Sequence, residues 1–122
     1  MITYSRSEQR IYYRGHSWDC RSEFYPESGG TVHATLPDGE YIAVADVPPA
    51  ENNAAYGTFY ISTGDPRGRD IHGGGSSLDE PLAPAQGWCA TYGCLRMQNR
   101  DGEELSRLII DDGNGIRLVV SE

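Results

Sequence analysis

The sequence predicts a mainly β domain, a curved mixed sheet or sandwich with one helix in its C-terminal half. Three observations predict it. Short runs rich in Tyr, Ile, Val and Thr recur along the 122 residues, parted by Gly- and Pro-containing breaks. Fifteen glycines beside a 38% hydrophobic content give a loop-rich, strand-like balance. Only the segment 100–111 carries apolar residues at helical spacing. The length suits one domain, 1–122, with a single modest core.

Residues 2–6, 10–15 and 19–25 read as the strands of a meander, with Ile11, Tyr12 and Tyr13 favouring sheet. Arg14-Gly15-His16-Ser17 reads as a turn, and His16 as a solvated loop residue. Pro26–Gly30 is a turn-rich break. His33 has no partner nearby in sequence and reads as structural. In Pro37-Asp38-Gly39, Pro fixes φ and Gly39 takes the left-handed position; Tyr41–Ala45 follows as a strand. Pro48–Asn53 is a surface loop. Tyr56–Thr63 is the strongest strand pattern in the chain, and Arg69–His72 a short strand that carries His72 to a sheet end.

Residues 73–90 hold four Gly, two Pro and no periodicity. A loop that long in a small domain is usually functional, and it reads as a lid over Cys94. Asn99 or Asp101 caps the helix, with Asp101–Glu104 resembling a capping box. Leu105, Leu108 and Ile109 form its apolar face, and Asp111–Gly115 ends it. Ile116, Leu118 and Val120 alternate with other residues as a closing strand.

Charge narrows the function classes. The net charge of −8 argues against nucleic acid and anionic membrane surfaces as partners. All ten basic residues are Arg, which removes Schiff-base lysine chemistry and any P-loop. No segment approaches the ~18 apolar residues of a membrane span. Met1–Arg10 lacks a basic start followed by an apolar run, so it is not a Sec signal peptide. His-Gly-Gly-Gly also occurs in lipase oxyanion loops, but no Gly-x-Ser-x-Gly elbow accompanies it.

The chemistry concentrates in 70–101. His72 follows Ile71 and precedes three glycines; Cys94 follows Gly93 and precedes Leu-Arg-Met. Gly93 permits a tight turn that leaves amides around Cys94 open to an oxyanion. His72 is the only histidine of the segment and so the obvious base for a Cys–His pair. The setting of Cys94 suits an exposed, electropositive thiol. Arg96 reads equally as an ion-pair partner, a clamp on a substrate carboxylate or an anchor for the loop. Cys20 and Cys89 read first as two buried thiols, with a disulfide as the alternative. A zinc site from His72, Cys89 and Cys94 is a weak reading, because structural zinc usually has closer Cys pairs.

His72-Gly73, Thr91, Gly93, Cys94, Leu95, Arg96, Met97, Asn99 and Asp101 resemble the catalytic motif of the L,D-transpeptidases, the YkuD-type domain that acts on bacterial peptidoglycan. Gln9 and the Pro37, Gly39, Tyr41 element extend the resemblance. Tyr92 departs from it, standing where the family has a second histidine, and the 72–91 loop is slightly long. The resemblance implies an L,D-transpeptidase-like sheet and a Cys94 nucleophile. His72 would be the base, its tautomer fixed by the Gly73 carbonyl. Amides near Tyr92, Gly93 and Cys94 would form the oxyanion site. Thr91, Arg96 and Asn99 would contact substrate, with the Tyr92 hydroxyl replacing the missing histidine's contact. It implies peptidoglycan stem peptides as substrate, acylation by carbapenems, and no metal or cofactor.

Action in the periplasm or cell wall would then require export by a route other than Sec, or a trimmed form. Small leaderless members of the family occur as antibacterial effectors, whose partner would be a cognate immunity protein; a phage-encoded enzyme fits equally. The alternative is a catalytically inactive peptidoglycan-binding module with the same fold.

Overall fold

Alternation of apolar and polar side chains builds the first three strands: β1 (Ile2–Ser5), β2 (Arg10–Tyr13) and β3 (His16–Asp19). The computed structural model describes residues 1–22, 35–46, 52–89, 91 and 93–122. Ile2, Tyr4, Ile11, Tyr13 and Trp18 point into the core while Tyr12 faces out. Arg14 and Gly15 both take left-handed backbone, with φ of 52° and 80°. A two-residue turn of that hand matches the twist of the strands it joins. The turn is therefore shorter than expected. His16 already belongs to β3, exposed and stacked on Trp18 with ring centroids 5.6 Å apart. His33, Pro48 and Pro49 lie outside the described residues.

The remaining strands are β4 (Gly39–Ala45), β5 (Tyr60–Ser62), β6 (Ile71–His72), β7 (Leu95–Arg96) and β8 (Ile116–Ser121). They join the meander in one curled mixed sheet of order β3-β2-β1-β8-β4-β5-β6-β7. β1–β8 and β6–β7 run parallel, and the other neighbours antiparallel. The mainly β expectation with one late helix holds. The strand foreseen over 56–63 shrinks to Tyr60–Ser62, because Gly57 turns the chain at φ 78°. A Cβ there would sit 2.6 Å from the Gly74 nitrogen and 2.1 Å from Asn99 Oδ1. Gly39 adopts φ 153° rather than a left-handed helical value.

The curl brings the two ends of the strand order together. Arg21, just past β3, pairs with Arg96 on β7: each amide donates to the other's carbonyl at 2.8 Å. The β7 edge is thereby covered.

Helix α1 (Asn99–Asp111) packs Leu105 and Ile109 wholly, and Leu108 partly, over β4 and β5. Gly102 faces Phe59, and a Cβ there would lie 1.9 Å from the ring. The N-cap of α1 is Gln98, not Asn99 or Asp101, and the Gln98 side chain makes no capping bond. The loop before it does that work instead: Gln86 Oε1 accepts the Asn99 amide at 2.7 Å. Among the described residues no helix is long and apolar enough to cross a membrane.

Candidate active site

β6 and β7 are two residues each, and their register places the motif. Ile71 and Leu95 pair and turn into the core; His72 pairs with Arg96, and Tyr60 of β5 lies on the other side of His72. Side chains two apart share a face of a strand. Asp70 and His72 therefore look the same way, as do Cys94 and Arg96. His72, Cys94, Arg96, Thr91 and Cys89 all line one cleft of about 500 Å³. A wider groove of about 760 Å³ on the outer side of β4 and β5 contains neither a thiol nor an imidazole.

His72 is 2% exposed. Its Nδ1 lies 2.8 Å from the Gly73 carbonyl oxygen, which can only accept. Nδ1 therefore carries the proton, and Nε2 is left as the basic nitrogen. Tyr60 stacks on the imidazole, centroids 6.1 Å apart, and Tyr56 meets it edge-on at 4.9 Å. Burial, helped by Arg96, pushes His72 down to about 4 against the opposing pull of the Gly73 carbonyl and Asp70.

Cys94 is half-buried, and its Sγ donates toward the Gly68 carbonyl at 3.7 Å. Burial raises the thiol above its usual range, against the Asp70 main chain, which pulls it down; the charges of Asp70 and Asp65 add to the rise and that of Arg96 opposes it. The expectation of an exposed, electropositive thiol is thus corrected. The resting site holds a neutral thiol and a neutral imidazole, and no hydrogen bond joins them.

Gly68 is presented by a turn that a buried ion pair closes. Arg69 Nε and Nη2 donate to Asp65 Oδ2 and Oδ1 at 2.9 and 3.0 Å. Arg69 holds the Asp65 carboxyl below its ordinary range.

Several motif residues shape the loop instead of facing a ligand. Arg96 Nη1 donates to the carbonyl of Cys89 at 2.7 Å and touches its Sγ at the same distance, which favours the anchor reading. Thr91 Oγ1 donates to the Cys94 carbonyl at 2.8 Å and accepts the Gly93 amide at 3.0 Å. The Gly93 amide is therefore not open to an oxyanion, whereas that of Cys94 donates to no described residue. Gly93, at φ 116°, also gives its carbonyl to the Leu36 amide. Tyr92 lies outside the described residues.

Asn99 is fully buried and unavailable to substrate: Nδ2 donates to the Pro81 and Ala83 carbonyls at 2.9 and 2.7 Å, and Oδ1 accepts the Thr58 amide at 3.2 Å. With Gln86 bonded to the Met97 carbonyl and Gln98 to Gly87, these contacts make 73–89 a pinned wall rather than a lid.

All three cysteines are free thiols, Cys20 in the core and Cys89 on the cleft. Sequence reasoning missed Asp70, Tyr56 and Tyr60. Asp70 was findable, since it stands two before His72 and must share its face of the strand. Comparisons with family models, curated proteins and solved structures gave no match.

Proposed function

We propose that the chain is a cysteine acyltransferase or peptidase of the L,D-transpeptidase type, acting on peptidoglycan tetrapeptide stems. The single observation that carries this reading is the 2.8 Å contact from His72 Nδ1 to the Gly73 carbonyl in the cleft that also holds Cys94. It leaves Nε2 free to accept a proton without any carboxylate orienting the ring. The motif resemblance at His72, Gly73, Gly93 and Cys94 supplies the substrate class.

Cys94 Sγ attacks the carbonyl that joins the L-centre to D-Ala, and the thiol proton passes to His72 Nε2. The Cys94 amide stabilises the developing oxyanion. His72 returns the proton to the leaving amine, and D-Ala departs. An amine acceptor then resolves the thioester in transpeptidation, or water in L,D-carboxypeptidation. Because the thiol is raised and the imidazole stands near 4, there is no resting thiolate. The proton leaves as the S–C bond forms.

Such an enzyme would work in the periplasm or cell wall, and delivery as an antibacterial effector would pair it with an immunity protein. The second reading, an inactive binding module, draws support from the thiol's contact with Gly68 rather than His72. Incubation with tetrapeptide muropeptides, followed by mass spectrometry, separates the two. The enzyme reading expects a shortened tripeptide stem, or an exchanged terminal residue when D-amino acids are present, and Cys94→Ala abolishes both. A carbapenem adduct on Cys94 would agree. Binding of unaltered tetrapeptide by the wild-type chain would favour the module.

A further inference from the structure

The main chain around Cys94 is pinned on several sides. Thr91 Oγ1 accepts the Gly93 amide at 3.0 Å and donates to the Cys94 carbonyl at 2.8 Å. The Leu95 amide donates to the Asp70 carbonyl at 2.9 Å, and the Gly93 carbonyl accepts the Leu36 amide at 3.1 Å. Of the amides of Gly93, Cys94 and Leu95, only that of Cys94 has no acceptor among the described residues. The Gly93 carbonyl and the Cys94 amide belong to one peptide unit. That unit is planar and trans, so its C=O and N–H point in opposite directions. A bond that holds the carbonyl on Leu36, a wholly buried residue, therefore turns the amide to the opposite side.

Gly93 stands at φ 116°, and a residue without Cβ lets the next peptide unit turn over at little steric cost. Such a flip would hide the Cys94 amide and present a carbonyl oxygen, which repels an oxyanion. The Leu36 bond opposes it. Leu36 is anchored in turn, because its carbonyl accepts Arg6 Nη2 at 2.7 Å, and Arg6 Nη1 is paired with Asp38 and Glu122. We propose that Leu36, Thr91 and Arg6 are positioning residues of the oxyanion site: the Leu36 amide and the Thr91 hydroxyl hold the Gly93–Cys94 peptide with its N–H free, and Arg6 secures Leu36. The ligand of that N–H is the tetrahedral oxyanion of an acyl group under attack by Cys94. An alkylating agent forms no such species.

The inference rests on Cys94 being an acyl acceptor, as read above, but its test needs no stem peptide. Two probes react at the same sulfur. With 4-nitrophenyl acetate, Sγ bonds to the carbonyl carbon and charge gathers on the carbonyl oxygen. The thiol proton passes through His72 to solvent, the C–O bond breaks and 4-nitrophenolate leaves. Iodoacetamide instead loses iodide from a saturated carbon, and the thiol proton goes to solvent. Peptide mass spectrometry follows Cys94 modification by each probe in wild type, Thr91→Val, Thr91→Ser, Arg6→Met and a chain with an ester in place of the Leu36 amide.

Loss of a whole oxyanion donor costs about 10²–10³ in rate, so Thr91→Val and the ester should acetylate roughly ten- to a hundredfold more slowly, with alkylation within about twofold of wild type. Arg6→Met, acting at one remove, should slow acetylation roughly threefold or more, and Thr91→Ser should restore it. A purely structural role would slow both probes together or neither, and either result overturns the proposal. So does a wild type whose Cys94 takes iodoacetamide but no acetyl group. If Thr91→Val does not fold, Arg6→Met and the ester decide by the same ratio of rates. A shifted ratio with muropeptides left intact would sink only the stem-peptide reaction proposed above. Muropeptide turnover with an unmoved ratio would sink only the positioning roles.

Discussion

Cys94 Sγ points at the carbonyl oxygen of Gly68, 3.7 Å away, and not at His72. The thiol is thus a proton donor to main chain in the resting protein, and this sets its reactivity. Alkylation of the native chain should spare Cys20, which has no exposed surface and whose thiol burial raises far above its usual range. Cys94 should label slowly at neutral pH and accelerate above the ordinary thiol range. Fast neutral-pH labelling of Cys94 would contradict the electrostatics described here.

His72 links the site to stability. Its folded value, about 4, lies below the 6.5 of an unfolded histidine. Between those two values the unfolded chain binds a proton that the folded chain refuses, so stability falls as pH drops through the window. The full loss is about 3 kcal/mol. Urea melts of wild type and His72→Gln at pH 7 and about 4.5 check this: the variant should show a visibly smaller acid loss, and equal losses would rule it out.

The Asp65–Arg69 pair is almost wholly buried, with side chains 4% and 10% exposed. Removing Asp65 takes from the buried Arg69 guanidinium the carboxylate that both Nε and Nη2 bond. Asp65→Ala should cost roughly 3–5 kcal/mol, whereas Asp65→Ala with Arg69→Leu should recover much of it. Thermal melts of the single and double variants decide; an additive double variant would show that the charges do not couple.

Gly102 sits in a helix interior, where Ala normally stabilises by roughly 1 kcal/mol. Here the added methyl would meet Phe59, so Gly102→Ala should destabilise, by roughly 1–3 kcal/mol. Gly102→Ala with Phe59→Leu should regain part of the loss. A Gly102→Ala protein more stable than wild type would mean that Phe59 yields easily.

Asn99→Ala strands two buried carbonyls and the Thr58 amide, and should cost at least about 2 kcal/mol. It should also loosen the 73–89 wall, seen as faster amide exchange at Gly87 and at position 99 and as new protease cuts. Wild-type exchange rates there would place the wall's anchorage elsewhere.

Much of this was legible in the chain itself. The Leu105, Leu108, Ile109 spacing and the alternation of 116–121 report local periodicity, and both elements stand where the pattern puts them. The Gly73 carbonyl, which the motif resemblance implied as the Nδ1 partner of His72, does lie against that nitrogen. What failed was read locally but decided at a distance. Tyr56–Thr63 has strand composition throughout, yet Gly57 must pass close to Gly73, Gly74 and Asn99. Asn99 looked like a cap or a ligand contact, and the carbonyls that claim it lie far back in the chain. The thiol's raised protonation threshold depends first on burial, which spacing does not report.

The pairing of Arg21 with Arg96 has a consequence for the order in which the molecule assembles. β1 lies between β2 and β8, so the meander joins the rest of the sheet only through the last strand. The ring is sealed at β7 by the meander's own tail. The strand pairings that frame the cleft are remote in sequence, and topologies rich in such pairings fold slowly, on the millisecond-to-second scale. During synthesis, a ribosome-bound chain short of residue 116 carries both Cys94 and His72 but has no strand to bring the ring to closure. The cleft that holds His72 and Cys94 is therefore enclosed late in folding, after the last strand has joined the meander to the rest of the sheet.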